Sequence, residues 1–153
     1  MSVEIGQPAP EFTLSDQDGN PVSLQDFRGI KSVALVFYPF TFSGLCEDEL
    51  CAIRDDYSSF TDAGVQVLAV SCNAKHAQKL WRDQNGYDFP VLTDFWPHGE
   101  VAQAYGVFND DLGCATRSTF VISADGLLVD AFGSPDIGTT RQASRYKEAV
   151  AKL

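Results

Sequence analysis

The segment Val33–Asp56, VALVFYPFTFSGLCEDELCAIRDD, decides the fold that we predict for this chain. Its first six residues form an apolar run rich in β-branched and aromatic side chains and closed by Pro39, as expected of a buried parallel strand. From Leu45 onward the apolar residues recur mostly three or four positions apart, which predicts a helix. This strand–loop–helix unit places Cys46, in the first helical turn, at the carboxyl edge of a sheet, where open α/β sheets bind ligands.

Cys46 is the residue of this segment best placed for chemistry. Near a helix N-terminus, unpaired backbone N–H groups and the helix dipole stabilise a thiolate over a thiol. The thiolate is the reactive form of cysteine, so the position favours a reactive Cys46 over a buried structural cysteine, the commoner fate of a free thiol. Ser43 or Gly44 is the predicted N-cap of the helix.

The rest of the chain predicts further strands and helices around this unit. The helix after Cys46 is expected to continue to residues 62–64, and two short strands with Asp-Gly and Asn-Pro turn chemistry precede the unit. Downstream we predict a strand at 65–71, a helix at 73–85, a strand at 89–93, a helix at 100–105, a hairpin of strands 118–123 and 127–132, and a helix at 140–152. Parallel units followed by an antiparallel hairpin predict a single α/β domain over residues 1–153, with a mixed central sheet flanked by helices.

Composition limits the classes of function. The 153 residues carry a formal net charge of −10, which argues against nucleic acids and anionic membrane surfaces as partners. No apolar run approaches the roughly 18 residues of a membrane-spanning helix. The opening MSVEIGQPAP has no secretory signal pattern, so we expect a cytoplasmic protein. The four cysteines are too few for a disulfide scaffold and include no Cys-x2-Cys pair, so no metal site is predicted.

Three separated motifs make the chain similar to the peroxiredoxins, which are thiol peroxidases with a thioredoxin-like fold. The stretch Pro39–Cys46 resembles their P-x-x-x-T/S-x-x-C signature, with Ser43 where most members have threonine. Arg117, just before a late strand, resembles the arginine of the family. The opening Gly6–Leu14 also looks like the family's, so the resemblance covers nearly the whole chain.

The resemblance implies a peroxidase in which Cys46 attacks a peroxide and becomes a sulfenic acid. Arg117 would hold the thiolate and a peroxide oxygen, Ser43 would hydrogen-bond the peroxide or the thiolate, and Pro39 would shield the site from water. Glu49 would pair with Arg117, since an acidic residue near a thiolate needs a cation. The resemblance also implies hydroperoxide substrates, thioredoxin or another cellular thiol as reductant, no metal or prosthetic group, and a homodimer.

Cys51 departs from the AhpE-type subgroup, which the stretches 94–99 and 104–109 otherwise resemble most. Its Cys-x4-Cys spacing matches many peroxiredoxins of the Q type, in which the second cysteine resolves the first. Five residues of helix rise by about 7.5 Å, whereas a disulfide tolerates about 7 Å between Cα atoms. A Cys46–Cys51 disulfide therefore requires the first helical turns to unwind. The alternative is that Cys51 only packs, and an external thiol resolves Cys46.

Two other classes of function stay open. A thiol-disulfide oxidoreductase would favour Cys-x2-Cys at the helix start, which this chain lacks. A non-enzymatic peroxide sensor or partner-binding protein would form the same sulfenic acid without turnover. Of the remaining cysteines, Cys72 is predicted to pack in the core, and Cys114, in a loop before Arg117, is a second candidate for resolution.

Overall fold

The computed structural model of the chain describes residues 3–134 and 136–153, so Met1, Ser2 and Pro135 of the predicted domain lie outside the described residues. Its strands are β1 (Thr13–Ser15), β2 (Pro21–Ser23), β3 (Ser32–Phe37), β4 (Val65–Ser71), β5 (Val91–Thr93), β6 (Phe108–Asn109), β7 (Cys114–Ala115), β8 (Ser118–Ile122) and β9 (Leu128–Gly133). Its α-helices are α1 (Gly44–Asp55), α2 (Tyr57–Asp62), α3 (Lys75–Asn85), α4 (Glu100–Ala104) and α5 (Ser144–Val150), and Leu24–Phe27 form a 3-10 helix.

Strand β3 lies inside a mixed sheet, as its apolar run predicts. The seven strands of this sheet follow the order β2-β1-β5-β4-β3-β8-β9. β3 pairs in parallel with β4 and antiparallel with β8, and β8 pairs antiparallel with β9 to form the predicted hairpin. The predicted thioredoxin-like α/β fold with a mixed central sheet is confirmed.

Both faces of the sheet are buried, because the side chains of β3 alternate between two apolar cores. One core takes Leu35 and Phe37 of β3 together with residues of α4, and the other takes Ala34 and Val36 with residues of α1, α2 and α3. Burial of apolar area contributes roughly 25 cal/mol per Å². The face of α1 that carries Cys46 is therefore fixed against the sheet by packing.

The helix after Cys46 is shorter than predicted. It ends at Asp55, and the separate helix α2 begins at Tyr57, so the expected continuous helix to residues 62–64 is wrong. Between them Asp56 leaves the helical conformation, with φ −113° and ψ 24°. Its carboxylate accepts a hydrogen bond from the Ser59 hydroxyl at 2.6 Å, a local bond that competes with a continuous helix.

Two other helices begin later than predicted because residues at their predicted starts form hydrogen bonds with other parts of the chain. The helix predicted from residue 73 begins at Lys75, since Asn73 accepts hydrogen bonds from the Thr41 backbone N–H and the Ser71 hydroxyl. The helix predicted at 140–152 is reduced to α5, because Arg141 is bound to Glu49. None of the helices within residues 3–134 and 136–153 has the length and apolar character needed to cross a membrane.

Candidate active site

Cys46 occupies the third position of α1. Ser43 is the N-cap residue, in an extended conformation, and its carbonyl accepts the N–H of Glu47 at 2.9 Å. The backbone N–H groups that come before Glu47 in the first turn of α1, including that of Cys46, have no acceptor inside the helix. Cys46 is fully buried, so a substrate reaches its sulfur only when side chains around it move.

The loop before α1 is held by a buried polar network. Its centre is the amide of Gln78 in α3, whose oxygen accepts hydrogen bonds from the Tyr38 and Thr41 hydroxyls. The same amide donates to the Ser71 hydroxyl at 2.8 Å. Between Thr41 and Ser43 the backbone of Phe42 is left-handed (φ 70°), a conformation that costs a non-glycine residue about 1–3 kcal/mol. Because Tyr38, Thr41 and Gln78 are buried, this network maintains the strained turn that leads into α1.

Arg117 contacts the sulfur of Cys46. Its Nη1 lies 3.3 Å from the sulfur and 2.6 Å from Oε1 of Glu49, and its Nε donates to the Ile137 carbonyl at 2.6 Å. The structure thus contains the ion pair between Glu49 and Arg117 that the sequence predicts. The hydrogen bonds of Arg117 to described residues therefore come from Nε and Nη1.

Arg141 is part of the site although sequence reasoning missed it. Its backbone N–H and Nε donate to Oε2 of Glu49 at 2.7 and 3.0 Å, and its Nη2 donates to Oε1 at 2.9 Å. Its Nη1 donates to the Phe37 carbonyl at the end of β3. No motif surrounds Arg141 in the sequence. The sequence contained only an indirect indication of a second cation. Three acidic residues, Glu47, Asp48 and Glu49, lie beside Cys46, and Arg117 alone cannot balance their charge.

The charges of the site favour an ionised Glu49. Burial opposes ionisation of this carboxyl, but hydrogen bonds and charge from Arg141, followed by the hydrogen bond from Arg117, outweigh it and hold the pKa of Glu49 below its usual range. Two guanidinium groups share this one carboxylate, so the cluster keeps a net positive charge close to the Cys46 sulfur.

Comparisons of sequence and of overall fold relate the chain to known proteins. The AhpC/TSA family model matches residues 5–131. The chain belongs to the AhpC/TSA family. Alkyl hydroperoxide reductase E of Mycobacterium tuberculosis is 45% identical over 151 residues, which cover 99% of this chain and 98% of that protein. The chloroplastic 2-cysteine peroxiredoxin of Chattonella marina var. antiqua is 30% identical over 138 residues, covering 84% of this chain and 69% of that protein. The crystal structure of peroxidoxin BcpB from Mycobacterium tuberculosis matches with a TM-score of 0.86 at 27% identity, covering 98% of this chain and 96% of that one.

Membership of the AhpC/TSA family confirms that this protein is a peroxiredoxin with thiol-dependent peroxidase function. The structure brings together Cys46, Arg117 and Glu49, and it places Ser43 at the N-cap of the same helix. Pro39 is buried two residues after the end of β3. The roles of these individual residues stay predictions.

The other cysteines of this AhpC/TSA protein differ in their surroundings. All four cysteines are free thiols in the structure, and Cys51 is half-buried, with its sulfur 3.8 Å from the Tyr87 hydroxyl. Burial raises the pKa of Cys72 to about 12. Burial, together with the charge of Cys46, also raises the pKa of Cys114. A raised thiol pKa lowers the thiolate fraction, so Cys72 and Cys114 are poor nucleophiles at neutral pH.

We expect Glu49→Gln to lower the free energy of unfolding at pH 7 by about 3–5 kcal/mol, because it leaves two buried guanidinium groups without a counter-charge. The folded pKa of Glu49 lies below the unfolded one, so its stabilisation is present above the unfolded pKa and is lost as the pH falls through the folded pKa. Urea unfolding at pH 7 and pH 4 should show the difference between wild type and variant shrinking at the lower pH.

Glu148→Gln is the matched control for this prediction. Glu148 is 59% exposed and pairs with Arg145 on the surface, so its loss should change the free energy of unfolding by less than about 1 kcal/mol. Equal effects of the two substitutions at pH 7 would show that the buried cluster contributes no more than a surface ion pair.

Proposed function

We propose that this peroxiredoxin reduces hydrogen peroxide and organic hydroperoxides through Cys46. The observation that carries the proposal is the contact of Arg117 with the Cys46 sulfur at 3.3 Å, made by a guanidinium that Glu49 and the Ile137 carbonyl hold in place. A fixed donor of this kind stabilises negative charge both on the sulfur and on an oxygen that approaches it.

The chemical step is a displacement on peroxide oxygen. The Cys46 thiolate donates an electron pair to the terminal oxygen of ROOH, the S–O bond forms and the O–O bond breaks. Sulfur is oxidised to sulfenic acid, the peroxide is reduced, and the departing alkoxide or hydroxide takes up a proton to give alcohol or water. In this step Arg117 stabilises the departing oxygen, the Ser43 hydroxyl binds the incoming peroxide, and Pro39 limits access of water.

Turnover separates the peroxidase from its two rivals. With excess dithiol such as thioredoxin, a peroxidase consumes many equivalents of peroxide, while a peroxide sensor stops after one. A thiol-disulfide oxidoreductase would instead reduce disulfide substrates without any peroxide. Steady-state peroxide consumption with and without dithiol distinguishes the three, and consumption limited to one equivalent would refute the enzyme.

For resolution of the sulfenic acid we propose Cys51. Its thiolate attacks the Cys46 sulfenic sulfur, hydroxide departs and becomes water, and a cellular dithiol then reduces the disulfide. Support comes from the Cys-x4-Cys spacing and from the break at Asp56, which limits α1 to Gly44–Asp55. A helix of this length is only marginally stable by its own backbone hydrogen bonds, so its first turns can unwind once their packing contacts break. The alternative, a one-cysteine cycle with an external thiol, leaves Cys51 as a packing residue.

Cys51→Ser tests this assignment. We expect the variant to react with the first equivalent of peroxide at the wild-type rate, because Cys46 and Arg117 are untouched. It should then accumulate the Cys46 sulfenic acid and lose most of its turnover with thioredoxin. Mass spectrometry after one equivalent should show the Cys46–Cys51 disulfide only in the wild type. A lasting sulfenic acid in the wild type would contradict the proposal, and Cys114→Ser serves as the control.

The remaining proposals concern the number of domains, the oligomeric state and the cellular compartment of the protein. Residues 1–153 would form one domain, since a single sheet includes strands from Thr13 to Gly133. A homodimer would cover the apolar side chains around the active-site loop, where Phe42 is 52% exposed. A cycle closed by a cellular dithiol requires a reducing compartment, which fits the cytoplasm. Sedimentation velocity of the reduced protein tests the dimer.

A further inference from the structure

Three residues on one face of α1 contact Asn85, the last residue of α3. The side-chain nitrogen of Asn85 donates to Oε1 of Glu47 at 3.1 Å. Its side-chain oxygen lies 3.9 Å from the sulfur of Cys51 and accepts a hydrogen bond from the Cys51 thiol. Its backbone carbonyl accepts from Nη1 of Arg54 at 2.7 Å. The three contacts come from positions four and three residues apart, which lie on one face of a helix.

Asn85 is itself held firmly by α3. Its side-chain nitrogen also donates to the Trp81 carbonyl at 3.0 Å, and the Trp81 indole N–H donates to the same oxygen of Glu47 at 3.2 Å. Trp81 is fully buried against Tyr38 and Tyr87. Asn85 is thus anchored to a fully buried residue of α3, and the first turns of α1 have to leave it when they unwind.

We propose that Asn85 is a positioning residue that holds α1 wound and thereby sets the rate at which Cys51 reaches the oxidised Cys46. The contact of α1 with Asn85 is a property of the reduced fold, whereas its consequence for the reaction rests on the proposed resolution by Cys51. Unwinding the turns between the two cysteines separates Glu47 and Cys51 from Asn85, so both contacts must break before the disulfide forms. The peroxide step requires no such movement of α1.

Asn85 would also set the sensitivity of the enzyme to excess peroxide. While α1 stays wound, Cys46 keeps the position in which it reacted, so its sulfenic acid can react with a second peroxide molecule. That molecule would give up one oxygen to form sulfinic acid and leave as alcohol or water, and this oxidation is not reversed by thiols. Slow unwinding thus favours inactivation, and fast unwinding favours turnover.

The experiment compares Asn85→Ala with Gln84→Ala, the exposed neighbour on the same helix. In the reduced protein, hydrogen exchange of the α1 amides should become about tenfold faster in Asn85→Ala, as expected when hydrogen bonds of ordinary net strength are lost. After one equivalent of peroxide, the Cys46–Cys51 disulfide should form faster by a similar factor in quenched mass spectrometry. The second-order rate of the peroxide step should stay unchanged, and sulfinic acid should need more peroxide to appear.

Asn85→Asp is the second variant, in case the alanine variant does not fold. It keeps the size of the side chain but places a carboxylate against Glu47, and we expect α1 exchange to accelerate at least as much. Trp81 fluorescence, followed in a Trp96→Phe background, reports whether the surroundings of the indole change when Glu47 moves away from it.

Exchange of α1 amides equal to that of Gln84→Ala would overturn the positioning role, whether or not Cys51 resolves. Faster exchange with an unchanged disulfide rate would also overturn it, since unwinding would then not limit resolution. If no disulfide forms in wild type or variants, the resolution by Cys51 fails, and the rate role of Asn85 fails with it, while the exchange data still decide whether Asn85 holds α1 wound.

Discussion

We expect replacement of Cys46 by serine to abolish peroxide turnover, which is the largest effect expected of any substitution in this protein. A serine hydroxyl is not ionised at neutral pH, so Cys46→Ser removes the nucleophile while changing one atom. We expect steady-state peroxide consumption with excess thioredoxin to fall at least about 10³-fold, as when other enzymes lose their nucleophile. Arg117 and Glu49 should keep their ion pair, so the variant should remain folded.

Cys72→Ser is the matched control, since it makes the same change at another buried cysteine. Burial raises the pKa of Cys72 to about 12, and we expect the variant to keep its peroxide turnover. Substantial turnover in Cys46→Ser would show that another thiol attacks the peroxide. Cys51 would then be the first candidate, because it is half-buried whereas Cys72 and Cys114 are buried.

The second large effect is expected from Arg117→Ala. This change removes the donor to the Cys46 sulfur, and loss of one such donor typically lowers kcat about 10²–10³-fold. Glu49 keeps its contacts with Arg141, so the carboxylate stays paired and the fold should survive. The second-order rate constant for peroxide, measured by stopped flow, should fall by this factor, while far-ultraviolet circular dichroism stays unchanged.

Arg117→Lys and added guanidinium ion distinguish a chemical role of Arg117 from a structural one. Lysine keeps the charge but not the planar fork, so its activity should lie between those of wild type and alanine variant. Guanidinium ion at millimolar concentration should partly restore the alanine variant by occupying the vacated space. Arg145→Ala, which removes a partly exposed arginine paired with Asp130 and Glu148, should leave the rate constant unchanged. A comparable loss in this control would argue against a specific role of Arg117.

The strand–loop–helix unit of Val33–Asp56 could be predicted from the sequence because its pattern of apolar residues lies within one short segment. A short, continuous apolar run is typical of a strand that is buried on both faces of a sheet. The bounds of β3 and β4 match the predicted strands closely. A loop that begins at Pro39, followed by helical periodicity, placed Cys46 in the first turn of α1. The hairpin of β8 and β9 likewise follows from alternation around a short turn at Asp125-Gly126.

The residues that complete the site were decided by tertiary structure. Arg141 lies 92 positions after Glu49 in sequence and reaches it only because the loop before α5 folds back over α1. Asn73 and Asn85 read as helix-end residues, yet their amides hold the active-site loop and α1. A lone arginine or asparagine has no periodicity, so its partner is fixed only when distant elements pack together. Local sequence determined where the reactive thiol lies, and long-range packing decided which charges surround it and how firmly its helix is held.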